Sequence, residues 1–321
     1  MPPSSPRLSE RAISDASLQA AEQAWLALAC CQVQPGAYQG HLSRLSIGGT
    51  EIFVERQNRT VHKFGRIPED RCTVSVVAEA CESGWFMQRR LDDDASVFLL
   101  PGGAEFDVYL PGHASTLYLA CDFNELMGGL RALDPEGWAA RPTTLLAVEP
   151  RQRNAFLQAM LQAIALARAG GHGRLDADSL KRCLIDAALT ALHEGRTPQP
   201  ARRDRPPRFG RRLKIVKRAR DFMHTATLEQ RSASLTDLCA FLGVSERTLQ
   251  YSFRALMDTT PQAYWRVLRL NAARGALLSR QAADNTVTAI AHEHGFFHLG
   301  RFALDYRRQF GESPSTTLTA A

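Results

Sequence analysis

The amino-acid sequence predicts an α+β protein with two domains: a β-barrel or β-sandwich with flanking helices, followed by an all-helical domain. Its 321 residues are about the length of two ordinary domains. Within 42–121, short apolar runs separated by glycine and proline recur about every 10 residues, which is typical of a barrel or sandwich. Beyond residue 212, apolar residues instead repeat at helical spacing.

The first predicted domain, 1–195, combines strands with a few helices. Apolar residues at helical spacing predict helices over 18–31, 151–168 and 176–193. The glycine pair at 48 and 49 is typical of a hairpin turn. The predicted strands are 42–47, 51–55, 72–77, 84–87, 96–100, 106–110 and 116–119.

Residues 196–212 form the predicted linker, with seven Arg, four Pro and one Asp. Proline disfavours helix and like charges repel each other, so we expect this segment to be extended and exposed. The second predicted domain, 213–321, contains no convincing strand. Six helices are predicted instead, and the first begins at the last residue of the linker. They span 212–225, 235–242, 246–256, 261–279, 287–293 and 299–309.

The net charge of +6 is unevenly distributed along the chain. Residues 1–195 carry 18 Lys and Arg against 23 Asp and Glu, a net charge of −5. The linker carries +6, and residues 213–321 carry +5, from 14 basic and nine acidic residues. An acidic first half joined to a basic second half indicates that the second half binds a polyanion.

Composition also excludes several classes of protein. No apolar stretch approaches the roughly 18–20 residues of a membrane span, and the N-terminus lacks the apolar core of a secretion signal. The seven cysteines form no CxxC pair, which disfavours a disulfide scaffold or a zinc ribbon. We therefore expect a cytoplasmic protein with no membrane partner, no metal site and no cofactor.

A helix-turn-helix motif is predicted at 235–256. Gly243 ends a short helix, and Ser245 stands where the N-cap of the next helix belongs. Leu249, Phe253 and Leu256 form the buried stripe of that second helix. Its outward, polar positions predict DNA contacts. These positions are Arg247, Thr248, Gln250, Tyr251 and Arg254.

The same plan recurs at 287–309, around Gly295. Phe302, Tyr306 and Phe310 form the buried stripe, and Gly311 and Pro314 end the helix. The predicted DNA-contacting positions are His298, Gly300, Arg301, Leu304, Asp305, Arg307 and Arg308. Among them, Arg307 and Arg308 are expected to bind phosphate rather than bases.

The last 105 or so residues resemble the DNA-binding domain of the AraC/XylS family of bacterial transcription regulators. The matching residues are Leu238, Gly243, Val244, Ser245, Leu249, Pro261, Arg269, Leu270, Ala273, Arg274, Ile290, Ala291, Gly295, Phe296, Phe302, Arg307, Arg308, Phe310, Gly311 and Pro314. The strings at 247–250, 269–272 and 295–306 are more similar to regulators of ethanolamine-utilisation operons, and 35–40 and 101–106 agree weakly with that subgroup.

The resemblance implies a ligand-responsive activator of a catabolic operon in the bacterial cytoplasm. It implies that Arg247 and Tyr251 read bases, and that Leu304 replaces a residue that is polar in many relatives. Implied partners are a double-stranded DNA operator and RNA polymerase.

The first domain is implied to be a cupin-like barrel that senses a small molecule, with helices that form a homodimer. We expect the effector to be an amine or a related metabolite, because aromatic rings beside carboxylates suit a cation. The candidate effector residues are Glu79, Glu82, Trp85, Phe86, Phe98, Glu105 and Tyr118.

Several alternatives remain open. The protein could be a repressor, or a quorum or virulence regulator with no small-molecule effector. A metal-dependent cupin enzyme is disfavoured, because His41, His62 and His113 are widely spaced in the β region. A DNA-repair methyl acceptor lacks its cysteine motif, and two unlike recognition helices disfavour a purely architectural DNA-binding protein.

Overall fold

A computed structural model describes residues 6–79, 85–86, 89–90, 96–149, 151, 153–169, 176–195, 207–279 and 286–320. The chain divides into two compact units. The first unit comprises 1–30 and 38–200, and the second comprises 31–37 and 201–321. This α+β architecture, with sheets in the N-terminal part and helices in the C-terminal part, confirms the predicted fold class at that level.

The strands of the described chain form two antiparallel sheets, of seven and five strands. Sheet A has the order β1-β3-β4-β11-β6-β9-β12, and sheet B the order β2-β5-β10-β7-β8. The strands are β1 (Arg7–Ile13), β2 (Ala27–Gln32), β3 (Gly40–Ile47), β4 (Thr50–Gln57), β5 (Val61–Arg66), β6 (Arg71–Glu79), β7 (Trp85–Phe86), β8 (Arg89–Arg90), β9 (Val97–Leu100), β10 (Glu105–Leu110), β11 (Ser115–Asp122) and β12 (Leu146–Val148).

The central strands of sheet A are buried on both faces, and alternate residues of these strands face different cores. In β4, Ile52 and Val54 belong to a core shared with the helices, whereas Phe53 belongs to the core between the sheets. In β11, Leu117 likewise belongs to the core shared with the helices, and Tyr118 belongs to the core between the sheets. Burial on both faces explains why each strand has an unbroken apolar run at its centre, Ile52–Val54 in β4 and Leu117–Cys121 in β11.

Helices cover the outer face of sheet A. They are α2 (Phe123–Leu133), α3 (Arg153–Arg168) and α4 (Ala177–Glu194), and the short α1 (Ala16–Ala21) precedes β2. Each of α2, α3 and α4 buries one face in the core shared with sheet A. The first unit is therefore layered as helices, sheet A and sheet B, and this order leaves a second interior between the two sheets.

The described part of the second unit is helical apart from the segment Cys31–Ala37 and its connections. Its helices are α5 (Pro207–Leu228), α6 (Leu235–Leu242), α7 (Glu246–Met257), α8 (Pro261–Ser279), α9 (Val287–Glu293), α10 (Leu299–Phe310) and α11 (Pro314–Ala320). No helix among the described residues is long and apolar enough to cross a membrane.

Helix α8 contributes to two separate clusters of buried side chains. Near its start, Tyr264 packs against Phe253 of α7 with ring centroids 5.7 Å apart, and Trp265 packs against Phe222 of α5. Further along, Leu270 and other α8 residues join a core with α9, α10 and α11. One rigid helix thus supports both helix pairs, α6–α7 and α9–α10.

Several predicted elements differ from the structure. The helix predicted over 18–31 is confirmed only up to Ala21, where α1 ends, and is wrong beyond it, because Ala27–Gln32 forms a strand that pairs with β5. Helix α5 begins at Pro207, so the last residues of the predicted linker are helical, while 196–206 lie outside the described residues. Pro314 begins α11 rather than ending all helical structure, because proline is well accepted in a first helical turn.

Candidate nucleic-acid interface and internal cavity

The first helix pair, α6 and α7, is joined by a tight turn whose geometry depends on one glycine. Gly243 has φ of 64°, a left-handed conformation that glycine adopts without a steric penalty. Ser234 caps α6 through a reciprocal hydrogen-bond pair with Asp237. The Ser234 hydroxyl holds the pKa of the Asp237 carboxyl below its usual value. Ser245 caps α7 by accepting a hydrogen bond from the Thr248 amide.

Helix α7 has one buried and one exposed face. Leu249 and Phe253 are fully buried, and Arg247, Tyr251 and Arg254 are exposed on the other side. The Arg247 guanidinium lies 5.4 Å from the centre of the Tyr251 ring, and its Nη2 donates to the Tyr251 hydroxyl at 3.3 Å. These three side chains, one turn apart, therefore form an exposed stripe that carries positive charge.

The two other predicted positions of α7 are half-buried and have partners on the same helix. The Thr248 hydroxyl lies 2.9 Å from the Ser245 hydroxyl at the N-cap. The Gln250 amide nitrogen donates to the Glu246 carboxylate at 2.9 Å. Gln250 therefore keeps its amide oxygen and its second N–H available for a ligand.

The second helix pair, α9 and α10, repeats the turn at Gly295, where φ is 76°. Phe302 and Tyr306 of α10 are buried and Gly311 ends the helix in a left-handed conformation. His298 occupies the N-cap position but its side chain makes no capping hydrogen bond. The start of α10 is therefore capped less completely than the start of α7.

The outward face of α10 carries an ion cluster that α7 lacks. His298, Gly300, Arg301, Leu304, Arg307 and Arg308 are exposed. Asp305 is only 19% exposed, because it forms ion pairs with Arg266 of α8 and with Arg301. The Arg301 Nε–Asp305 Oδ2 distance is 3.2 Å, so the far end of the Arg301 guanidinium stays available. Asp305 is placed to orient Arg301 rather than to meet a ligand itself.

Buried Arg274 of α8 fixes the orientation of α10 from the opposite side. Its Nη1 donates to Glu312 at 2.7 Å and to the Tyr306 hydroxyl at 3.3 Å. The guanidinium also lies 4.8 Å from the centre of the Phe310 ring. A charged group that is buried with several partners orients its neighbours, because losing any partner would leave that charge uncompensated.

The first unit contains a cavity of about 80 Å³ between its two sheets. The lining residues are Gln23, Leu26, Leu28, Glu55, Lys63, Ile67, Thr73, Ser75, Leu100, Phe106, Val108, Leu110, Thr116 and Tyr118. Glu55 accepts hydrogen bonds from Lys63, Gln23 and, at 3.1 Å, the Tyr118 hydroxyl. Burial and the adjacent Glu55 carboxylate raise the pKa of Tyr118.

The predicted effector residues are dispersed in the structure. Tyr118 lines the cavity, Phe98 is buried in the core between the sheets, and Glu105 is exposed on β10. Trp85 and Phe86 form β7, and Glu79 ends β6. The structure describes the backbone of these three residues but not their side chains. Glu82 lies outside the described residues.

Sequence analysis missed Glu55, Lys63 and Thr116 as cavity residues. A signal was present: Phe53 and Glu55, like Thr116 and Tyr118, are two apart in a strand and so share a face. Charged residues are nearly always exposed unless they are paired, and the facing of the two sheets is what brings Glu55 and Lys63 together. Within the described chain, no group of three or more His, Cys, Asp or Glu could hold a metal ion.

Comparison with known proteins identifies the second unit. Residues 238–320 match the family described as a helix-turn-helix domain. The chain is 38% identical over 104 residues to the probable thc operon regulatory protein of Rhodococcus erythropolis, a match that covers 32% of this chain and 31% of that protein. It is 42% identical over 89 residues to the XylDLEGF operon transcriptional activator of Pseudomonas putida, which covers 28% of each. The chain thus spans less than a third of the length of either curated relative.

A solved structure, of a probable AraC family transcriptional regulator from Rhodopseudomonas palustris CGA009, is 34% identical to this chain. The match covers 34% of this chain and 97% of that one, with a TM-score of 0.32. The two curated relatives are named as operon regulators, the first as a probable one, and the solved structure as a probable transcriptional regulator. With the family match, these similarities show that residues 238–320 form a helix-turn-helix domain like those of the operon regulators it resembles.

Proposed function

We propose that the protein is a sequence-specific, ligand-responsive activator of a catabolic operon, in which α7 and α10 read two adjacent major grooves. The observation that supports this most directly is that both helices follow a glycine turn, bury one face and expose arginine on the other. The two curated relatives are operon regulators, which supports the same class of function.

In this proposal α7 supplies the main base contacts. Arg247 donates two hydrogen bonds to a guanine edge, and Tyr251 packs beside it. Thr248, Gln250 and Arg254 contact neighbouring bases or phosphates. A bidentate arginine–guanine contact is worth about 1–3 kcal/mol of discrimination against other bases.

The second helix, α10, reads less sequence. Arg301 is its main base-reading group, and Leu304, 70% exposed, contacts a thymine methyl. His298, Gly300 and Asp305 border this surface. Arg307 and Arg308 bind phosphates and so set the register of the helix on DNA. Because α8 packs against both helix pairs, the two helices would enter successive major grooves, about 34 Å apart along the duplex.

The first unit is proposed to bind a small-molecule effector and to form a homodimer, with RNA polymerase as a partner at the promoter. A two-sheet interior with a polar group of buried side chains supports an effector site of the cupin-like kind. Residues 1–195 would form this domain, 196–212 the linker and 213–321 the DNA-binding domain with its motifs at 235–256 and 287–309. The resemblance to ethanolamine-operon regulators and a cytoplasmic location remain predictions.

The experiment that tests this function is chromatin immunoprecipitation with sequencing, followed by footprinting of the full-length protein on the enriched sites. We expect one sequence motif and two protected blocks about one helical turn of DNA apart. A reporter fused to the enriched promoter should rise in expression when the protein is present.

Two outcomes would contradict the proposal. Footprints without sequence preference would indicate an architectural protein, and a fall in reporter expression would indicate a repressor. As a control, the Arg307→Ala variant should weaken binding to all sequences alike, because it removes a phosphate contact only. It should also lower the magnitude of the slope of log affinity against log salt concentration by about one.

A further inference from the structure

The two sheets contribute different side chains to the cavity between them. Sheet A contributes mainly polar residues, which are Glu55, Thr73, Ser75, Thr116 and Tyr118, together with Leu100. Sheet B contributes mainly apolar residues, which are Leu28, Phe106, Val108 and Leu110, together with Lys63. The remaining lining residues are Gln23, Leu26 and Ile67. A molecule that fills this space must therefore present hydrocarbon to one side and hydrogen-bonding groups to the other.

The two charges in the cavity wall already neutralise each other. Glu55 and Lys63 are 3% and 5% exposed and form an ion pair. Glu55 also accepts hydrogen bonds from Gln23 and Tyr118, so both of its oxygens are occupied. A cation entering here would meet Lys63 and an anion would meet Glu55. Either would be buried without a compensating charge, which is strongly unfavourable.

One polar group on the same wall lacks a partner. Thr116 is 5% exposed and lines the cavity, and its Oγ1 makes no hydrogen bond within the described structure. Thr116 is paired in register with Glu55, on adjacent strands β11 and β4, so this hydroxyl lies beside the ion pair. A buried hydroxyl without a partner costs free energy, and such groups in native proteins commonly await a ligand or water.

We propose that the effector is a compact, uncharged, mainly apolar molecule whose single hydroxyl or carbonyl group hydrogen-bonds to Thr116. This inference rests on the proposed function, in which the first unit binds an effector. The hydrocarbon body of the effector lies against Phe106, Val108 and Leu110. Its oxygen accepts a hydrogen bond from the Thr116 hydroxyl. This class of ligand replaces the amine expected from the sequence, because no carboxylate of the cavity is left for a cation.

Calorimetric titration of the full-length protein with matched probes tests the proposal. Each set holds an alcohol, an amine and a carboxylate on one hydrocarbon body, and the bodies are isobutyl, cyclopentylmethyl and benzyl. We expect the alcohol of at least one set to bind at least 10-fold more tightly than its charged partners, a ratio that follows from the cost of an unbalanced buried charge. Tighter binding of the amine or the carboxylate, or binding by none of the alcohols, would overturn the proposal.

The variant Thr116→Val identifies the bonding group. It should weaken binding of the best alcohol about 2- to 10-fold, the usual net effect of one hydrogen bond. The free protein should fold normally, because the deleted hydroxyl has no partner. Thr143→Val, the same change at an exposed position, should leave binding unchanged. Equal affinity of Thr116→Val and the natural protein for the alcohol would contradict the assignment.

The two proposals can fail separately. Footprinting measures DNA recognition in the absence of any probe, and calorimetry measures probe binding in the absence of DNA. If the footprint shows no sequence preference while an alcohol still binds through Thr116, the proposed function fails and the ligand assignment stands. The reverse result would overturn only the ligand assignment.

Discussion

The helices α7 and α10 have the same packing but present different chemistry to a partner. Both follow a left-handed glycine, both bury a phenylalanine at the centre of their inner face, and both expose an arginine near their start. The exposed Arg247 of α7 rests against the ring of Tyr251, whereas Arg301 of α10 is paired with Asp305. The packing is therefore common to both helices, and in the proposed function it is the exposed residues that set specificity.

The difference between the two arginines is one of charge. Tyr251 is neutral, so Arg247 keeps its full charge while the ring restricts its motion. Asp305 is an anion shared between Arg301 and Arg266, so part of the charge of Arg301 is compensated before any DNA arrives. We infer that α7 contributes more to both affinity and specificity, and that α10 is more important for register.

The largest expected effects test whether the shared packing is equally important in both helix pairs. Phe253 and Phe302 are 0% and 1% exposed, and each contacts a buried tyrosine ring. Phe253→Ala and Phe302→Ala should each lower the free energy of unfolding by about 3–5 kcal/mol, because each leaves a cavity in a packed core. Urea denaturation of the full-length protein measures the two values. A difference of more than about 2 kcal/mol between them would show that the two cores are not equivalent.

The helices were predictable because their ends are marked locally. The predicted bounds of α6, α8 and α9 agree with the structure, since serine, threonine, proline and glycine stand at or next to their ends. Strand β2 was not predictable in this way. Its Ala-rich sequence favours helix, and only pairing with β5 makes it a strand.

The residues that line the cavity could not be predicted from the sequence for a similar reason. Glu55 and Lys63 lie on β4 and β5, in different sheets, and nothing local indicates that two charged residues eight positions apart face one interior. The sequence-based prediction selected aromatic residues and nearby carboxylates. Of these, Phe98 is part of the core between the sheets, and Glu105 is exposed. Of the predicted effector residues with described side chains, only Tyr118 lines the cavity.

Effects of intermediate size concern base reading. Arg247→Ala should cost about 1–3 kcal/mol of discrimination at one base pair, because a bidentate contact with a base is lost. Asp305→Asn should cost about 1 kcal/mol or less at the base read by Arg301, since it removes only a partly exposed ion pair. Competition binding to operator variants that differ at single positions measures both values.

Two comparisons control this prediction. Tyr251→Phe removes the hydroxyl that Arg247 contacts but keeps the ring, so it should change discrimination less than Arg247→Ala does. The double variant of Arg301→Ala and Asp305→Asn should lose no more discrimination than Arg301→Ala alone, if Asp305 acts only by orienting Arg301. Additive losses would show that Asp305 contacts DNA directly.

The smallest expected effect arises at the N-caps, where the two helices differ most in hydrogen bonding. Ser245 accepts a hydrogen bond from the Thr248 amide, while the His298 side chain makes no capping bond. Ser245→Ala should therefore lower the free energy of unfolding by about 1 kcal/mol, and His298→Ala should change it by only a few tenths. His298→Ser should raise it by about 0.5–1 kcal/mol, because serine supplies the missing acceptor. Denaturation midpoints measure all three values. If His298→Ser raises stability yet weakens DNA binding, then the absence of a cap at α10 reflects a role for His298 at the DNA surface, whereas no change in stability would contradict the predicted capping effect.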